Sequence, residues 1–240
     1  MSAPATAATS ARFRHTRAEL QATNPQSYRF WKHAAVIAGF TTAGVVLALS
    51  QFDHVRPLEW LFFAAMLVFT NFGEWAVHRT TLHHPIFPRA VYHRHVVQHH
   101  AFFTYESMAL DSWRDARWVL FPPWALPLLV ATVLPIYFLI RAVAPPNFSW
   151  LFLLAVVTYY GTYEVFHTLA HLPPTNPLAG SRFVRALTGH HRIHHDPRLM
   201  SRWNFNFAIP IFDWLFGTLY RESGAPPSQS PWGRGRPKGG

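Results

Sequence analysis

The sequence predicts an all-α integral membrane protein, with four transmembrane helices and a histidine-rich helical cap on the cytosolic side. Three observations carry this. Hydrophobic residues make up 50% of the 240 residues and charged residues only 13%, well below the charged share of a soluble domain. Four long apolar segments alternate with polar or basic stretches. Thirteen of the 16 histidines fall into four tight clusters, each beside one of these segments.

In chain order, residues 1–27 are rich in Ala, Thr and Arg, and hold no apolar core of a signal peptide. They read as a disordered cytosolic lead. Residues 34–52 carry no charge and are long enough to cross a bilayer. After a polar link at 53–57, the apolar segment 58–77 contains Glu74 near its end. Its charge-free part, 60–73, is short for a span, so its helix should continue past the membrane surface, carrying Glu74 and His78, until Pro85 and Pro88 end it. Residues 118–140 are again free of charge; Pro122 and Pro123 suit a first turn, while Pro127 and Pro135 predict kinks. A Pro-containing turn at 141–148 leads to the apolar segment 149–163, then Glu164. Residues 172–221 are amphipathic and basic. The membrane domain is thus expected over 28–221, with a disordered basic tail at 222–240.

The net charge of +10 is nearly all arginine. The charges flank apolar segments and match no nucleic-acid motif, so nucleic acid is not an expected partner. Arg12, Arg14, Arg17, Arg29 and Lys32 precede the first span; Arg79, Arg89, Arg94, Arg114 and Arg117 lie between the second and third; Arg182, Arg185, Arg192, Arg198 and Arg202 follow the fourth. The opposite side has only Arg56 and Arg141. The positive-inside rule therefore places both termini and the middle segment in the cytoplasm, and all four histidine clusters with them.

The clusters are His78, His83 and His84; His93, His95, His99 and His100; His167 and His171; and His190, His191, His194 and His195. Imidazoles crowded beside a bilayer need a shared partner, and metal is the expected one. The absence of cysteine excludes thiolate zinc sites and Cys-ligated iron–sulfur clusters. His167 and His171 share a helical face, as do His191, His194 and His195, and His95 with His99. His78 and His83 are about 140° apart on an ideal helix, and converge only if His83 lies where the helix ends. The total exceeds what one four-coordinate ion needs and suits two metals, while imidazole alone does not choose among Zn, Cu, Fe and Ni. Glu74 and Glu164 share helical faces with His78 and His167, and either could orient an imidazole by accepting its outer N–H. Asp196 is a weaker candidate for the same task, with Asp111 and Asp213. Trp118, Phe121, Trp124, Tyr159, Tyr160 and Tyr163 read as interface or packing residues.

The boxes HxxxxH (78–83), HxxxHH (95–100), HxxxH (167–171) and HxxHH (191–195), followed by Trp203-Asn204-Phe205-Asn206-Phe207 and Phe212-Asp213-Trp214-Leu215-Phe216-Gly217-Thr218, resemble the fatty acid hydroxylase/sterol desaturase superfamily over about residues 34–221. The resemblance implies a non-haem di-iron enzyme: two iron ions and O2, hydroxylating or desaturating a fatty acyl chain, sterol or related apolar molecule drawn from the bilayer. It implies as ligands His78, His83, His95, His99, His100, His167, His171, His191, His194 and His195. Many relatives have HxxHH as the second box; with Val96 here, His95 or His93 completes it. No fused cytochrome b5 domain is evident, so electrons are expected from a separate ferredoxin- or cytochrome b5-type donor. Asn204 is expected under the cap, hydrogen-bonding a metal-bound water or a ligand's outer N–H.

Other classes fit less well. A metal transporter would place ligands near the bilayer midplane, and a zinc protease needs HExxH, which is absent. A non-enzymatic scaffold leaves the clusters unexplained. Among oxidoreductases, carotenoid-type hydroxylases carry a similar histidine set.

Overall fold

The computed structural model describes residues 7–220. Its helices are α1 (Ala7–Ala22), α2 (Phe30–Ser50), α3 (Glu59–Val77), α4 (Arg89–Tyr92), α5 (His100–Phe102), α6 (Ala125–Val143), α7 (Pro146–Ala170), α8 (Arg182–His194) and α9 (Ile211–Leu215). A π-helical turn, His78–Leu82, extends α3, and another, His93–His99, joins α4 to α5. Among the described residues no strand forms beyond an isolated bridge between Thr104 and Ser107.

Among the described residues three helices are long and apolar enough to cross a membrane: α2, α3 continued to Leu82, and α6. Their outward side chains, among them Val46, Leu61, Phe69, Phe138 and Leu139, remain exposed, as an apolar surface facing lipid requires. α7 stands at the centre, with α2, α3 and α6 packed around it. It has 25 residues, about 37 Å at ~1.5 Å per residue. Because neighbours cover it, α7 can carry Asn147, Tyr160 and Glu164 as buried polar groups. Close approach to α2 depends on two glycines: a Cβ at Gly161 would lie 2.7 Å from Thr41 and one at Gly44 2.9 Å from Val157.

The turns at 51–58 and 144–145 meet at one end of the bundle, where Asn147 bonds both Asp53 and the buried Glu59. All four histidine clusters lie at the opposite end, on the C-terminal ends of α3 and α7 and in the segments that fold over them.

Two expectations are corrected. Residues 1–27 contain an ordered helix, α1, rather than a disordered lead throughout. Its anchor is Arg17, buried against Phe102 at 4.6 Å, with Nη1 donating to Ser107 Oγ at 2.6 Å and Nη2 to the Ala109 carbonyl at 2.7 Å. Arg17, Leu20 and Gln21, which donates to Asp111 and Asp115, hold the helix, so there is no apolar stripe to read. The third span begins at Ala125, not at 118. Pro122 and Pro123 disfavour helix in the residues before them, and the preceding backbone serves the cap: the Trp118 carbonyl accepts from His99, and Phe121 N–H donates to Glu164. The tail expected at 222–240 lies outside the described residues.

Candidate metal centre

The cap brings the histidines into two buried groups: His78, His83, His95, His100 and His194; and His99, His167, His171 and His191. Within each, one nitrogen per residue lies within 4.8 Å of all the others. His195 adjoins the second, its Nε2 3.0 Å from that of His191, and its ring stacks on His100 at 4.3 Å between the groups. His93 and His84 are exposed and stand apart, so His95 is the second-box residue that joins the site. His190 instead bonds the Asn206 carbonyl at 2.8 Å.

The two π-turns produce this sorting. Their hydrogen bonds close over five residues rather than four, which brings residues five apart much nearer to one face than an α-helix does. His78 and His83 therefore face one group, as do His95 and His100, while His99 is turned into the other. His95 and His99, expected to share a face, do stack ring on ring at 5.4 Å, yet their nitrogens serve different groups. His191 and His194 also divide between the groups, whereas His167 and His171 stay together.

Carbonyls of the surrounding chain hold the rings from outside. Nδ1 of His78 lies 2.5 Å from Phe205 O, that of His99 2.8 Å from Trp118 O, and that of His171 2.7 Å from Met108 O. Nδ1 of His194 is 2.9 Å from Trp203 O, and that of His195 2.5 Å from Phe103 O. A carbonyl only accepts, so each Nδ1 carries the proton and each Nε2 presents a lone pair inward. Burial, reinforced by neighbouring rings, holds His95, His99, His100, His171, His191, His194 and His195 well below the ordinary histidine range, and His83 is pushed down to about 2. Neutral imidazole is the ligating form.

This arrangement fits metal. Facing Nε2 atoms lie 2.9 Å (His78–His95), 3.0 Å (His83–His194, His95–His100) and 3.2 Å (His83–His95) apart in one group. In the other they lie 3.2 Å (His99–His167) and 3.1 Å (His167–His191) apart. Ligands ~2.1 Å from an ion and at right angles to one another stand ~3.0 Å apart. Nε2 of His171 is buried with no hydrogen-bond partner, an orphan acceptor that a cation would satisfy.

The carboxylates expected to orient histidines do other work. Glu74 accepts from Tyr159, Asn206 Nδ2 and Phe207 N–H, tying α3 to α7 and the C-terminal loop. Glu164 accepts from Phe121 N–H at 3.1 Å and Tyr160 at 2.8 Å. Asp196 pairs with Arg198 at 2.6 Å. Asn204 touches no imidazole: its amide bridges His190 O and both backbone atoms of Tyr220. It adopts φ 58°, a left-handed turn that asparagine tolerates, between the two carbonyls that hold His194 and His78. The residue the sequence undervalued is Asp213. It accepts from Phe205 N–H at 3.0 Å, Asn206 N–H at 2.7 Å and Thr218 Oγ1 at 2.6 Å, and so fixes the loop that supplies those carbonyls. Its place in the motif 212–218 was the available signal.

Two apolar cavities, of about 300 and 320 Å³, lie between α3, α6 and α7 beneath the histidines. The first reaches His95, His99 and His167 and the second reaches His78. Trp118, Phe121, Trp124, Tyr160 and Tyr163 line the first, and Phe121, Tyr159, Tyr160 and Tyr163 the second. These aromatics are cavity walls rather than merely packing or interface residues.

A sequence profile of the family described as fatty acid hydroxylase matches residues 63–218, from α3 through every histidine group to Thr218. The chain belongs to the fatty acid hydroxylase family. It is therefore an integral membrane oxidoreductase of the fatty acid hydroxylase/sterol desaturase superfamily, a lipid hydroxylase. The visible hydroxylase domain of full-length scs7p is similar in fold, with a TM-score of 0.55 and 21% identity, over 83% of this chain and 69% of that one. None of the curated protein sequences matches the hydroxylase described here.

Proposed function

We propose that this hydroxylase inserts oxygen from O2 into, or desaturates, an acyl, sterol or related apolar chain at a centre of two iron ions. The observation that carries the reading is the convergence of inward-facing Nε2 atoms on histidines that also line apolar cavities. His78, His83, His95, His100 and His194 hold one ion; His99, His167, His171, His191 and His195 hold the other. The irons supply an oxidant strong enough for an unactivated C–H bond, which side chains cannot. In hydroxylation, one oxygen atom enters the product and the other leaves as water, with two electrons and two protons from outside. The chain's residues bind, orient and exclude water: the carbonyls of Phe103, Met108, Trp118, Trp203 and Phe205 fix the rings, and the aromatic walls hold the substrate against them.

In this reading α7 is the fourth span, and the cap and both termini are cytoplasmic, as the arginine bias favours. The electrons come from a separate ferredoxin- or cytochrome b5-type donor. Exposed Arg79, Arg89, Arg182, Arg185, Arg198 and Arg202 at the cap end suit an acidic surface on it.

The test is lipid analysis of cells expressing the protein or His171→Ala under labelled O2. Expected are lipids carrying one added labelled oxygen, or lacking two hydrogens, in the wild type alone. Identical lipid profiles with iron-loaded protein in the membrane would refute the reading.

A further inference from the structure

A third cavity, of about 820 Å³, opens at the cap end of α2. Arg29, Lys32, Arg94 and Arg117 line it, and no carboxylate does. None of the four forms an ion pair among the described residues. Glu164, behind Phe121, is engaged by Phe121 N–H and Tyr160. Arg94 is fixed in place, donating to Gln98 at 3.0 Å and to the carbonyls of Arg117 and Leu120. Four cations around one void, with Glu164 behind its wall the single carboxylate acting on Arg94, repel each other, and an anion placed among them relieves that repulsion.

The position of this cavity is informative. Arg29 and Lys32 flank the start of α2, where a bilayer's headgroups lie. Arg94 and Trp124 belong also to the wall of the apolar cavity that reaches His95, His99 and His167. One molecule can thus set a charged head among the cations while its chain passes Trp124 toward the histidines.

We propose that the substrate is an amphiphile with an anionic headgroup, a carboxylate or phosphate, held by Lys32, Arg94 and Arg117. This rests on the hydroxylase reading above for the word substrate; the headgroup site rests on the cavity. Neutral lipids whose head cannot fill the cationic cavity are poorer substrates.

Binding is measured without turnover, in the absence of O2 and electron donor, on iron-loaded protein in nanodiscs of neutral lipid. The probes are a fluorescent polyene fatty acid and its methyl ester. The acid is expected to bind about tenfold tighter than the ester, and Lys32→Gln with Arg117→Gln to abolish the difference while ester affinity and metal content stay unchanged. Lys32→Gln alone, exposed at the start of α2, gives a smaller loss in the same direction and covers the case in which the double variant does not fold. Dodecyl phosphate is expected to displace the acid, and inorganic phosphate at the same concentration not to. Equal affinity for acid and ester, parallel loss of both in the variant, or displacement by inorganic phosphate would overturn the proposal. With O2 and donor restored, faster oxidation of the acid than of the ester supports it, and equal rates overturn it. Acid-selective binding with no lipid oxidised at all would overturn the hydroxylase reading instead.

Discussion

Asp213→Ala tests whether the metal site is built by the loop that frames it. Asp213 is fully buried and accepts from two backbone N–H groups and the Thr218 hydroxyl. Burial pushes its carboxyl up to about 6, so it is still mostly ionised at pH 7. Alanine strands three buried donors, each costing ~1–3 kcal/mol. A net loss of about 4 kcal/mol corresponds to a fall in Tm on the order of 10 °C for a domain of this size. The damage should be specific as well as large. Phe205 and Trp203 carry the carbonyls that hold His78 and His194, so the first histidine group loses its fixed rings while the second keeps the carbonyls of Trp118, Met108 and Phe103. Metal analysis of the purified variant is expected to show one ion retained of two, with turnover lost. A variant with full metal content and Tm within ~2 °C of the parent would refute the reasoning.

Three further outcomes are expected. Alanine at His99, His171 or His194 lowers turnover by more than ~100-fold and metal content with it, whereas alanine at His15 or His54 leaves both unchanged; full activity of His171→Ala would remove it from the site. Eight cap histidines outside the spans have folded-state pKa values held below the ordinary 6.5, so the stability they lend as neutral groups is present above pH 6.5 and is lost as pH falls below it. The eight losses act in the same direction, so acid weakens the metal-free cap cumulatively. The metal-free cap is therefore expected to unfold between pH 6.5 and 5, and a Tm independent of pH across that interval would contradict it. Reporter fusions at the C-terminus are expected to read cytoplasmic, and a signal from the opposite side would overturn the topology.

The gathering of the histidines was legible from residue type: the ten residues named from the boxes are buried together at one end of the bundle. How they divide was not legible. Spacing was read on α-helical geometry, and the π-turns at 78–82 and 93–99 change which residues eclipse. The carboxylates escape a sequence reading for a different reason. Glu74 and Glu164 do lie on their histidines' helices, but Tyr159 and Phe121, distant in sequence, claim their oxygens first. Local spacing cannot show a competitor brought in by the fold. The same applies to α1, whose docking depends on Arg17 meeting Ser107 and Ala109 rather than on any pattern of its own.

The five carbonyls that grip the histidines from outside come from Phe103, Met108, Trp118, Trp203 and Phe205, on loops joined through Asp213 and the cap core. Half of the inner nitrogens are thus held by the chain rather than by an arriving ion. An all-imidazole site has no help from ligand chemistry in resisting copper or zinc, which bind nitrogen more tightly than ferrous iron does. Stiffness is the remaining discriminator. A tetrahedral zinc wants its nitrogens ~3.4 Å apart, and the five rings tied to carbonyls resist moving to that spacing. Slackening the loops would therefore do more than weaken the protein: it would loosen the choice of metal.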